Sequence, residues 1–429
     1  ISKDITVSST GQVYLDLNME VVTLDDGLKD ASFKYEIYNG NELIKGGNFA
    51  NSNVGDNITL LGGATVNSTP TTYTLYIWID GNMPNPNTMY NQNFEFRLNA
   101  DATDENSPSL ATLRKLGLTS NGEMNSVTDV ATTNEGIYET TDDYGTTYYF
   151  RGAVENNYVK FAGYYWRIIR INGDGSIRMI YDGTVAHANG ESSSDRHIES
   201  SGFNEKYDDN AYVGYMYGQT GASNYNVTHA NTNNSIIKTS VDNWYKTNIE
   251  DKGYSDKIED VVYCNDRQIA SDSGSYSGYE SLGYGTNKTV YAPVSRIYTT
   301  SWSWDSTQEI KMICSQKNDA FTVDDTSKGN GALTYPVGLL TVDEALAGGG
   351  KGGTSNSSYY LYTGNYYWTM SPSDFGGSNA LVFVVSLSGH IYNNNVNNTG
   401  GVRPVLSLKS SVMLSGTGTM TDPYVVQLS

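Results

Sequence analysis

The residues able to do chemistry in this chain are few and scattered. Four histidines, His187, His197, His229 and His390, stand far apart. None has the HxxxH or CxxC company that a zinc site needs, and surface positions are expected for all four. No GxSxG elbow and no local Cys-His signature announces a nucleophile, although a triad assembled from distant segments stays open. Two carboxylates for sugar hydrolysis could sit among the 47 acidic residues, but nothing singles out a pair. The run "AGGGKGG" lacks phosphate-loop spacing and follows a helical pattern, so it reads as a flexible loop. Asn172-Gly-Asp-Gly175 superficially resembles a calcium loop; without the twelve-residue ligand pattern it reads as a hairpin turn. No catalytic residue, no metal and no cofactor is therefore expected. The two cysteines, Cys264 and Cys314, both lie beside apolar residues. They form either a disulfide or two buried thiols; closing a loop of about 50 residues would stabilise the fold by roughly 4 kcal/mol.

Charge narrows the partners. Twenty-seven Lys and Arg against 47 Asp and Glu give a formal net charge of −20, which argues against nucleic acid and anionic membrane surfaces. No apolar run reaches the 18 residues of a membrane span. With 35 Tyr and 6 Trp among abundant Asn, Ser, Thr and Gly, the profile is that of a β-rich extracellular protein. The chain opens directly on strand-like sequence, so a secretion or surface-anchoring segment is expected ahead of Ile1.

The elements that must position any site fall into a multidomain pattern. Residues 1–102 alternate with period two in "QVYLDLNMEVV", "FKYEIYNG", "TYTLYIWIDG" and "NFEFRLNA", as in a small all-β sandwich. Tyr73, Leu75, Ile77 and Ile79 share its apolar face, with Tyr76 and Trp78 opposite. Residues 103–147 read as a linker carrying one short helix, "SLATLRKLGL", and an otherwise irregular stretch. Residues 148–429 read as an α+β domain. Its opening "YYFRGAVENNYVKFAGYYWRIIRINGDGSIRMIYDG" suggests three strands. "SIIKTSVDNWYKTNIED" suggests a helix burying Ile237, Val241, Trp244, Tyr245 and Ile249. Thr341 with Glu344 forms a capping box that starts another helix, which Gly348–Gly350 ends.

Several blocks in order, "YYFRGAVENNYVKFAGYYWRIIRINGDGSIRMIYDGT", "YPVGLLTVDEALAGG", "YYWTMSPSDF", "NNTGGVRPVLSLK" and "GTGTMTDPYVV", resemble a family of secreted proteins of gut bacteria. The C-terminal domain of that family resembles the C-type-lectin-like fold of formylglycine-generating-enzyme-like domains and of the variable proteins of diversity-generating retroelements. The resemblance spans about residues 137–427. Residues 1–102 look more loosely like Ig-like or pilin-like ectodomains of bacterial surface subunits. In diversified proteins, randomised template adenines let AAC-like codons vary without yielding Lys, Glu, Gln, Met or Trp. Residues 373–398 contain none of those five, though a β-rich loop poor in Lys and Glu has the same composition.

The resemblance implies a variable region at 366–404. In it Trp368, Pro372, Gly389, Arg403 and Pro404 are framework, while Asp374, Phe375, Phe383, Val385, Leu387, His390, Tyr392 and Asn394 are displayed to bind ligand. The alternation of Phe383, Val385 and Leu387 fits an exposed strand face and an ordinary interior face equally. None of the calcium-binding lectin tripeptides occurs. The expected function is thus a cell-surface or pilus-associated protein, not an enzyme, that binds an external protein or glycan ligand. The alternative is an invariant pilin or adhesin subunit whose lectin-like domain serves assembly.

Overall fold

Alternating apolar residues in the first hundred positions do form strands, and the strands make two antiparallel sheets. The computed structural model describes residues 1–9, 13–81, 86–104, 107–279, 284 and 287–427. Gln12 of the first strand pattern and Glu105–Asn106 of the expected boundary lie outside the described residues. The chain divides into two compact units, Ile1–Ser107 and Pro108–Ser429. Strand is the prevalent structure and helices are few.

In the first unit, β1 (Ser2–Val7), β6 (Thr71–Ile79), β3 (Phe33–Asn39) and β4 (Glu42–Asn48) pair in that order. The second sheet runs β5 (Asn57–Val66), β2 (Val13–Leu24), β7 (Phe94–Asp104). Successive strand side chains point to opposite faces, so Leu15, Leu17, Met19 and Val21 of β2 join Phe33, Tyr35 and Ile37 of β3 and Tyr73, Leu75 and Ile77 of β6 in one buried core. Ile79 departs from the expected stripe: at the end of β6 it is exposed.

The second unit begins earlier than the sequence pattern suggests. The expected short helix forms and 116–133 is largely irregular, but the stretch from 134 onward is a hairpin packed into the second unit rather than linker. Helix α1 (Pro108–Lys115) buries Leu113, and its Ser109 and Thr112 hydroxyls donate to the carbonyls of Thr146 (2.6 Å) and Gly175 (2.7 Å). Strands β8 (Asn134–Asp142) and β9 (Gly145–Gly152) pair antiparallel and bury Ile137. The aromatic-rich block gives four strands rather than three, because "YVKF" pairs separately: β9, β10 (Tyr158–Phe161), β11 (Tyr164–Ile171) and β12 (Ile177–Gly183). The β11–β12 turn is the Asn172–Gly175 hairpin, with Gly175 at φ +85°. Helix α2 (Ile236–Tyr245) buries Ile237, Val241 and Tyr245, with Trp244 half-buried beside them. Helix α3 (Val342–Ala347) starts at the Thr341–Glu344 capping box.

Strands β13 (Glu199–Ser201), β14 (Thr289–Val290), β15 (Tyr367–Phe375), β16 (Ala380–Val385), β17 (Ile391–Asn395) and β18 (Gly400–Val402) form a six-stranded sheet. Its main path runs β13-β18-β15-β16-β17, and β14 pairs with β15. β19 (Val405–Leu408) crosses to the eight-stranded sheet and pairs with β12. In that sheet β21 (Tyr424–Val426), itself paired with β20 (Leu414–Ser415), lies parallel to β10, placing Tyr424 opposite Val159. Cys264 and Cys314 form a disulfide with Cα atoms 5.5 Å apart.

Candidate functional site

Residues 366–404 supply strands β15 to β18, and their ends are held by buried contacts. Trp368 is buried and its indole N–H donates to the Ser201 carbonyl at 2.9 Å, tying β15 to β13. Gly389 has φ +79°, and a Cβ there would collide with the Asn356 carbonyl, so the β16–β17 turn needs glycine. Arg403 is buried over the Tyr367 ring; it donates to Asp182 Oδ1 at 2.9 Å and to the Tyr181 carbonyl at 3.0 Å. Arg196 donates to the same Asp182 oxygen. Two guanidiniums thus neutralise one buried carboxylate, the arrangement under which burying charge is tolerable.

The display set does not stay together. Asp374, Phe375, Phe383 and Val385 are buried, against expectation. The reason is topological: β16 is an interior strand between β15 and β17, and helix α3 and the turn at Asn210–Val213 pack on it, so Val382, Phe383, Val384 and Val385 are all inaccessible. Phe383 stacks on Tyr298 at 6.4 Å between ring centres. The question left open by the alternation is settled: both sides of the strand are interior.

The remaining four residues cluster at the hairpin end and the edge strand. Leu387 is 53% exposed and Tyr392 45% exposed, with His390 and Asn394 half-buried. The Tyr392 ring lies 5.6 Å from His390 and 6.4 Å from Trp304. Trp304 stacks on Tyr298 at 4.2 Å, and Trp302 packs against Tyr276 and Tyr279 at 4.9 and 5.1 Å. Trp302 adopts φ +60°, a conformation that costs a residue with a Cβ about 1–2 kcal/mol. Sequence reading passed over these two tryptophans, although the alternating "SWSW" at 301–304 in a polar stretch was the available signal.

The chemistry of this edge is that of contact. His390 Nδ1 lies 2.8 Å from the Ser386 hydroxyl and 2.9 Å from that of Ser388, and burial holds its pKa below the usual value. Hydroxyls, not a carboxylate, orient the ring. At the other end of β15, Asp374 is a buried carboxyl whose partners are the hydroxyls of Tyr279 and Ser373. Burial raises its pKa to about 6 against the lowering effect of those two hydrogen bonds.

The other histidines are interior rather than on the surface. His187 lies between Glu191 Oε1 (2.7 Å) and Asp195 Oδ1 (2.8 Å). His197, its pKa pushed down to about 3 by burial and then by Arg403 and Arg196, meets the Thr363 hydroxyl at 3.2 Å. His229 is enclosed by Tyr225, Tyr284 and Tyr291, and burial holds its pKa well below the ordinary value. Among the described residues no group of three or more His, Cys, Asp and Glu side chains is placed to hold a metal ion. No described helix is long and apolar enough to cross a membrane. Comparison of the chain with protein-family models, with curated proteins and with solved structures finds no match.

Proposed function

We propose that this chain is a ligand-binding protein of a bacterial cell surface or pilus. In this reading the first unit is an Ig-like spacer, and the second an α+β, C-type-lectin-like domain that binds an external protein, or a glycan, through the hairpin end and edge around 387–394. The observation that carries the reading is the exposure of Leu387 and Tyr392 on a hairpin whose first strand, β16, is locked into the core, with β17 at the sheet edge anchored by the buried Ile391. A rigid support under exposed apolar and aromatic groups lowers the entropic cost of binding. Tyr392, His390, Asn394 and the neighbouring Trp302 and Trp304 supply the mixture of rings and adaptable polar groups that recognition surfaces use.

The burial of Asp374, Phe375, Phe383 and Val385 favours a second reading, an invariant pilin or adhesin subunit whose lectin-like domain serves assembly. Sequencing the DNA around the gene separates the two. Diversification predicts a near-repeat of the segment encoding 366–404 beside a reverse transcriptase, differing only at adenines. Variation should reach the codons of 387, 390, 392 and 394 and spare those of 375, 383 and 385. If no such repeat exists, or if the core codons vary as freely as the exposed ones, the diversified-display reading fails.

A further inference from the structure

We infer that the first unit carries a binding site of its own, for a neutral oligosaccharide, on the outer face of its four-stranded sheet. Strands β3 and β6 turn Tyr35, Ile37, Leu75 and Ile77 inward, so by alternation Glu36, Tyr38, Tyr76 and Trp78 face out. A solvated sheet face ordinarily carries small polar or charged residues, as β1 does with Asp4 and Thr6. Here two adjacent strands carry three large rings instead.

These rings line a groove of about 690 Å³, bounded by Ile1 and Ser2 and by the Gly40–Asn41 turn. That is within the roughly 300–1,000 Å³ common for small-ligand sites. Tyr38 and Tyr76 meet edge to face at 5.7 Å. The Tyr38 hydroxyl donates to Glu36 Oε2 at 2.7 Å. Glu36 can lie flat because Gly46 is opposite it: a Cβ there would come within 2.9 Å of the Glu36 Cγ.

The chemistry of the groove selects its occupant. Ring faces complement the apolar C–H faces of a pyranose, while the Glu36 carboxylate, the Tyr38 phenol and the Asn41 amide suit its hydroxyls. Among the described residues no lysine or arginine lines the groove. The nearby cations are engaged, Ile1 N donating to the Ile77 carbonyl and Lys34, opposite Trp78, pairing with Asp80, each at 2.8 Å. With the Glu36 carboxylate in the groove and a net charge of −20, this disfavours phosphate, sulfate or any acidic sugar. A quaternary ammonium needs rings on several sides of one point, whereas these lie in a row along two strands. The site is on a different unit from the 387–394 edge and stands or falls independently of it.

The test is calorimetric titration of the full chain with neutral oligomers of glucose, mannose, galactose and N-acetylglucosamine, with choline as a cationic comparison. At least one oligomer should bind. Trp78→Ala and Tyr76→Ala should each weaken it tenfold or more, with the thermal transition of the first unit intact, and Thr72→Ala, outside the groove, should leave it unchanged. The inference is overturned if no neutral oligomer binds, if choline binds in their place, or if affinity survives Trp78→Ala. It is equally overturned if Trp78→Ala dissolves a dimer in sedimentation, which would make the face a contact between copies of the chain.

Discussion

Replacing Asp374 by Asn should make the second unit more stable at neutral pH. The carboxyl is buried on β15, with hydroxyl partners from Tyr279 and Ser373 and a pKa raised to about 6 by burial. The folded state therefore binds its proton more tightly than the unfolded chain, whose Asp titrates near the ordinary value of 3.8. Linkage then requires that stability be greatest below that lower value and fall as pH rises through the folded pKa, the loss developing between about pH 4 and 6. A difference of about two pKa units corresponds to about 3 kcal/mol. For a unit of roughly 320 residues, that is a shift of about 4 °C in the melting temperature. Asparagine offers a carbonyl to the Tyr279 hydroxyl and an amide to the Ser373 oxygen, reproducing the protonated acid without its titration. Differential scanning calorimetry of the natural chain and Asp374→Asn from pH 4 to 7.5 isolates this residue. Groups shifted the other way, such as Glu344, which Arg178 and Arg170 hold below the ordinary value against the effect of burial, cancel in the difference. The two proteins should melt alike near pH 4 and diverge by about 4 °C above pH 6.5. A gap that stays constant across the range would refute the reasoning.

Other perturbations probe separate parts of the structure. Removing the Cys264–Cys314 bridge, which closes a separation of 50 residues, should cost the second unit about 4 kcal/mol, or about 6 °C, and leave the first unit's transition in place; calorimetry with and without a reductant measures both. Arg403→Ala should destabilise the second unit by about 3 kcal/mol in urea titrations, because Asp182 stays buried with Arg196 as its remaining guanidinium. Leu387→Asp should change stability by less than about 0.5 kcal/mol, whereas Phe383→Asp should prevent folding; soluble yield and proteolysis distinguish them.

How much of this was legible in the sequence follows the range of the interactions. The Asn172–Gly175 turn, the Thr341–Glu344 cap and the α2 stripe depend on residues a few positions apart, and all three form where expected. The two-sheet core of the first unit was readable for the same reason, except at the end of β6, where Ile79 runs out of cover. The candidate site was readable only in part. Leu387, His390, Tyr392 and Asn394 sit where the strand pattern meets a turn and keep their exposure or half of it. Phe383 and Val385 were ambiguous because alternation marks two faces without saying whether one or both are covered; that is decided by β17, α3 and a distant turn. Asp182 gave no signal, since its guanidinium partners are 14 and 221 positions away. His197 and His229 were missed for a like reason, since Thr363, Tyr284 and Tyr291 come from distant segments, whereas His187 has its partners Glu191 and Asp195 within eight positions and its signal was simply not read.

The parallel pairing of β21 with β10 sets a timetable for synthesis. Val159 reaches its partner Tyr424 only after every intervening residue has been made. The first unit needs nothing beyond Ser107 to complete its sheets. At about 5–20 residues per second, the nascent first unit has on the order of 16–60 seconds to fold before the second can close its larger sheet. Through that interval the local hairpins β8–β9 and β11–β12 have all their residues, while the outer edge of β10 stays without its partner strand, an open edge of the kind that chaperones shield.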